Sequence, residues 1–104
     1  MKLIKLLTVG CVLCSSHVYA RTDCPVETVA HIQIEGEVVL YKQKGAPWRK
    51  LGSLNDAGVK GRYSALLAAQ MSGKKVLVGY WSDSYNCSED NYSTSAALVR
   101  TYNS

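Results

Sequence analysis

One segment of this chain has the pattern of a helix, and that scarcity constrains the fold. In YSALLAAQMSGKKVLV, Tyr63 to Val78, the residues Tyr63, Leu67 and Met71 recur at helical spacing, with Leu66 and Gln70 beside them. Ala65, Leu66, Leu67 and Ala68 are strong helix formers. Gly73 stands where a left-handed C-cap belongs, and Lys74 and Lys75 follow where positive charge suits the helix dipole. Asn55 or Asp56 is placed to cap the first free N–H groups.

The rest of the chain reads as strands and turns. Alternation from Thr28 to Ile34 predicts a strand, and Gly36 separates it from a second strand reaching Lys42. KGAP, Lys44 to Pro47, is a turn signal. WRKLGSL predicts a third strand with Trp48 and Leu51 buried. KKVLVGYWS is too β-branched for helix and predicts a fourth, and AALVRTY a fifth. Between these two lies Ser82–Ser95, a polar loop of a length that is often functional. One helix cannot cover both faces of five strands. The sheet must curl on itself or hide a face against another chain. The expected class is α+β, mainly β with one helix. The expected architecture is a small five-stranded barrel of the oligonucleotide/oligosaccharide-binding (OB) type with the helix plugging one end.

The N-terminus reads as an export signal. MKLIKLLTVGCVLCSSHVYA has Lys2 and Lys5, a short apolar run, and Ala20 at a small-residue cleavage site. The apolar run is about half of the ~20 residues a membrane span needs. The expected product is therefore Arg21–Ser104 as a single domain, secreted or periplasmic, with no transmembrane segment. Losing Lys2 and Lys5 takes the net charge from +4 to about +2, too weak a bias to argue for nucleic acid. A chain of roughly 80 residues has a marginal core unless it is stapled. Cys24 and Cys87 remain after cleavage, and in a secreted chain they most simply form one disulfide. The chain-entropy estimate for so long a loop is roughly 4 kcal/mol. Two Cys and His31 do not complete a tetrahedral zinc site, so no metal or other cofactor is expected.

With the segment RYSALLAAQMSGKKVLVGYW, Arg62 to Trp81, the chain resembles the B subunits of pentameric bacterial A–B toxins, of the subtilase cytotoxin and pertussis-like type. There too a helix ends at a Gly step and runs into a strand bearing aromatic residues. An early Cys, a later Cys beyond the helix and a short last strand are also shared. The resemblance implies an OB-like fold, a homopentameric ring packed around the helices, recognition of cell-surface glycans and a catalytic A chain as partner. The chain departs from the pattern in being shorter and in having one candidate disulfide. No sugar-binding motif of the family maps onto it residue by residue.

The aromatic residues supply the functional clue. Trp48, Trp81, Tyr63, Tyr80, Tyr85, Tyr92 and Tyr102 are present and Phe is absent. Tyr and Trp suit half-wet surfaces such as sugar sites and subunit contacts. Trp81, Ser82, Asp83, Tyr85 and Asn86 combine stacking surface with hydrogen-bonding groups. The basic group Lys42, Lys44, Arg49 and Lys50 is either a solvated edge or a match for an acidic sugar such as sialic acid; Arg49 joins the glycan-binding set. Tyr63, Leu66, Gln70 and Met71 form the candidate subunit interface. Catalysis is not expected: His31 is the sole candidate base, and nothing brings two carboxylates together. Three functions remain: a non-catalytic glycan-binding subunit of a ring; a periplasmic inhibitor of a secreted hydrolase, lysozyme-inhibitor-like, acting through Ser82–Ser95; and an envelope-stress or structural protein with no small-molecule ligand.

Overall fold

The computed structural model describes residues 20–103. The expected signal peptide lies outside the described residues save for Ala20. The elements are β1 (Thr22–Asp23), β2 (Glu27–Glu35), β3 (Val38–Gln43), β4 (Trp48–Ser53), α1 (Val59–Ser72), β5 (Lys75–Tyr80) and β6 (Leu98–Thr101). The fold is α+β, an antiparallel sheet with one helix among the described residues.

β2 is the corner of the sheet. Its first residues pair with β5 (Glu27↔Val76, Thr28↔Lys75) and the remainder with β3, from Val29↔Gln43 to Glu35↔Val38. The register slips after Val29, which leaves Ala30 as an extra residue. A second slip leaves Leu51 of β4 extra, between Val39↔Gly52 and Leu40↔Lys50. Such bulges bend a strand and increase its twist. Gly52 serves this second bend: its φ is 151°, and a Cβ there would come within 2.8 Å of the Val59 side chain. The sheet thereby coils around Val39, Tyr41, Leu51, Leu66, Val76 and Val78, all fully buried.

The sheet does not close. Its path runs β1-β5-β2-β3-β4, with β6 on the other edge of β5. Among the described residues no ladder joins β4 to β6. The expected five-stranded barrel is thus an open sheet of six strands, with the two-residue β1 an addition. Segment 91–97 spans the gap instead. It meets β4 through Asn91 N–H to Trp48 O and Ala96 N–H to Leu51 O, both 3.0 Å, and reaches β5 through Ala97 N–H to Gly79 O at 2.7 Å. The intervening amides of Ser93 and Thr94 bond the Asn91 side-chain oxygen at 3.0 and 2.9 Å. An Asn that captures local N–H groups turns the chain and takes donors away from a strand ladder.

Helix α1 begins and faces differently from the sequence expectation. Its N-cap is Gly58, with no side-chain cap bond. Asn55 turns its amide to the Glu37 carboxylate instead, and Asp56 is held in a turn from Ser53. The C-terminus is as expected. Gly73 has φ 72°, its N–H bonds Gln70 O at 3.3 Å, and Lys74 N–H bonds Ala69 O at 2.9 Å. This is the Schellman pair that satisfies the last carbonyls. The buried stripe is Val59, Leu66 and Ala69. Burying the Val and Leu contributes about 1.5–3 kcal/mol each. Met71, expected on the apolar face, is 80 % exposed.

Candidate functional site

The side chains at the centre of the fold come from β3, VVLYKQ. Period-two alternation places Val39, Tyr41 and Gln43 on one face, and all three are buried. Tyr41 and Tyr80 meet hydroxyl to hydroxyl at 2.6 Å. Tyr80 donates its proton to Lys50 O at 3.2 Å, so Tyr41 donates to Tyr80. The Tyr80 ring stacks on Tyr85, with centroids 3.8 Å apart and planes 4° apart. Burial pushes the Tyr41 hydroxyl up to about 12, against partial relief from the Tyr80 hydrogen bond and the Arg49 charge. Burial also raises Tyr80, as does its proximity to Tyr41 and Tyr85. Tyr85 is raised by burial too. All three stay protonated near neutrality, so none supplies a base.

Beside the tyrosines lies a buried cation. Arg49, expected on a solvated edge, is 2 % exposed. Arg49 pairs with buried Tyr41 across the β3–β4 ladder and shares the parity of buried Leu51, so its side chain turns inward. Its Nη1 donates to Gln43 Oε1 and its Nη2 to Cys87 O, both at 2.7 Å. Gln43 Nε2 in turn donates to Val76 O at 3.0 Å and Glu27 O at 3.2 Å. Arg49 Nε and Tyr85 Oη are buried without a hydrogen-bond partner. The Cys24–Cys87 disulfide forms as expected. It carries the Cys87 carbonyl to the guanidinium.

The six residues of the candidate glycan set thus fall on two sides of the surface. Tyr85 and Arg49 are interior. Trp81 is 61 % exposed, with the Arg21 guanidinium 5.9 Å from its ring centroid. Ser82 is held by its backbone: its carbonyl accepts from Thr22 Oγ1 at 2.6 Å and its N–H bonds Tyr80 O at 2.8 Å. Asp83 and Asn86 are exposed, and Asn86 Oδ1 accepts from Ser88 N–H at 2.9 Å. Tyr92 is exposed further along the same loop.

The loop is long but anchored. Besides the disulfide, Asp90 Oδ1 accepts from Trp48 N–H at 2.9 Å. Lys44 is exposed, while Lys42 and Lys50 are half-buried. Trp48, expected in the core, is half-buried and lies 6.0 Å from His31 ring to ring. On the helix, Leu66 is fully buried in the core and Gln70 Nε2 bonds Ala30 O at 3.3 Å. Tyr63 is half-buried against the core, and Met71 points outward.

The sequence reading missed Tyr41 and Gln43. The signal was present, because both share the parity of Val39 in a strand flanked by two others. No cluster of three or more His, Cys, Asp or Glu placed to hold a metal occurs among the described residues. No protein-family model matches this chain, and no curated protein or solved structure gives a match.

Proposed function

We propose that the chain is a secreted, non-catalytic glycan-binding subunit that assembles into a homo-oligomeric ring and docks on cell-surface oligosaccharides. The observation that carries this reading is the exposure of Trp81 directly after a buried strand end. A large amphipathic ring presented on a rigid support suits stacking on the C–H face of a sugar. Ser82, Asp83 and Asn86 offer hydroxyl, carboxylate and amide groups beside it in sequence for the sugar hydroxyls. Tyr85 and Arg49 form the support behind them. The exposed Met71 side of α1 supplies apolar surface for a sister chain, with the number of subunits and a catalytic A chain taken from the toxin resemblance.

The test is a glycan array probed with the processed protein and with Trp81→Ala. Retention of the wild type on a defined set of glycans, lost in the variant, is the expected result. A protein silent on every glycan overturns the reading. The inhibitor reading draws on the anchoring of the same loop, since a rigid loop enters an enzyme cleft at low entropic cost. One-to-one inhibition of a lysozyme by the wild type would favour it.

A further inference from the structure

Arg49 is a buried cation with no anion of its own. Among the described residues the ion pairs join Arg21 to Asp23 and Lys75 to Glu27, and no carboxylate reaches the Arg49 guanidinium. Its partners, Gln43 Oε1 and Cys87 O, are both neutral. Its Nε–H has no acceptor. A buried charge without a counter-charge is costly, and its site favours any anion able to reach it.

There is a route. Arg49 lines a cavity of about 240 Å³, walled by Pro25, Ala46, Pro47 and Ser88 and by the exposed Lys44. Glu27 also lines it, but its carboxylate is turned to Lys75 at 3.9 Å, which offsets its charge towards an incoming anion. A guanidinium presents five N–H donors in a planar fork that matches a carboxylate. We infer that this cavity binds a carboxylate group through Arg49, with the exposed Lys44 attracting it. The site does not rest on the glycan reading, because Trp81, Ser82, Asp83 and Asn86 take no part in its walls.

The experiment is an NMR titration of the processed protein with sodium acetate, sodium glucuronate and neutral glucose, at constant ionic strength set with sodium chloride. The readouts are the Arg49 Nε–H resonance and the Ala46 and Ser88 amides. Acetate or glucuronate is expected to move all three saturably, with a dissociation constant on the order of 1–10 mM, while glucose leaves them in place. Saturation by both acids assigns the site to free carboxylates, and saturation by glucuronate alone assigns it to a carboxylate carried on a sugar; either supports the proposal. Removing Arg49 perturbs the interior, so the control is Ala46→Phe, which fills the cavity from the turn. This variant is expected to bind at least about tenfold more weakly, the scale of one lost charge-assisted contact. Equal response to glucose and glucuronate, no saturable shift, or undiminished binding by Ala46→Phe overturns the proposal. A silent glycan array leaves it standing, so the two failures are distinguishable.

Discussion

Tyr80 and Trp81 are adjacent in sequence and opposite in environment. Tyr80 is fully buried, hydrogen-bonded and stacked, whereas Trp81 is 61 % exposed. The division continues on either side of them. Behind Tyr80 lies a buried polar interior of Tyr41, Gln43, Arg49 and Tyr85. Beyond Trp81 lies a loop of Ser, Asp, Asn and Glu held at a few anchors. The interior spends its side chains on one another, so its substitutions should register in stability. The loop is anchored through Cys87, Asp90 and Asn91 but leaves Trp81, Asp83 and Asn86 exposed, so substitutions at these three should register in binding. The chain passes from buried to exposed side chains within one peptide step because a strand ends there.

The largest stability effect should come from the staple that joins the two regions. Cys24→Ser with Cys87→Ser should cost roughly 4 kcal/mol by loop-closure entropy, read as a lower urea midpoint. Wild type and variant unfolding at the same denaturant concentration would show that the interior holds without the loop. Next comes Arg49→Met, which leaves Gln43 Oε1 and Cys87 O buried without a donor. A loss of about 2–4 kcal/mol is expected. A change below about 0.5 kcal/mol would mean that relief of the unpaired charge offsets the two lost hydrogen bonds.

The tyrosines sharpen the same contrast through pH. Tyr41 titrates at about 12 in the folded chain, against about 10 when unfolded, and Tyr80 and Tyr85 are displaced in the same direction. The unfolded chain therefore loses these protons first as pH rises. Their contribution is fully present below about pH 10 and is lost as pH climbs through the folded value near 12. The tyrosinate absorbance of the buried three should appear only together with unfolding, above the ordinary tyrosine value of about 10. A single step near pH 10 with the fold intact would mean the interior is open to solvent. Tyr80→Phe removes the hydroxyl linking Tyr41 to Lys50 O, and should cost about 1–2 kcal/mol.

The interior was harder to read from sequence than the strands around it. β2, β3, the turn at Gly45, β5 and the C-cap at Gly73 follow from alternation, β-branched runs and glycine placement, which are local signals. Barrel closure failed because Asn91 captures the amides of Ser93 and Thr94, a competition that composition does not reveal. Arg49 was read as solvated because arginines seldom go inside without an acid. Its inward position follows from pairing with Tyr41, but its acceptors come from Gln43 and from a carbonyl delivered by a distant disulfide. The helix face was misassigned because α1 carries apolar or small residues on several sides. Tyr63-Leu67-Met71 and Val59-Leu66-Ala69 both fit the period, and only the position of the sheet chooses between them.

That choice leaves Met71 outside, and Met71→Glu tests what the outer face is for. With the side chain 80 % exposed, the substitution removes no packing within the subunit, so the urea midpoint of a monomer should move by less than about 0.5 kcal/mol. If α1 meets sister chains, the added carboxylates oppose one another across an apolar contact. Native mass spectrometry should then show an oligomer for the wild type and a monomer for the variant. Retention on a glycan surface should fall with it, by about 10²-fold or more, because simultaneous engagement of several sites is lost. Trp81→Ala should do the reverse, keeping the oligomer and losing each site. A wild type that is itself monomeric, or a variant that keeps both assembly and retention, would mean the outer face of α1 is solvated surface and Trp81 acts alone.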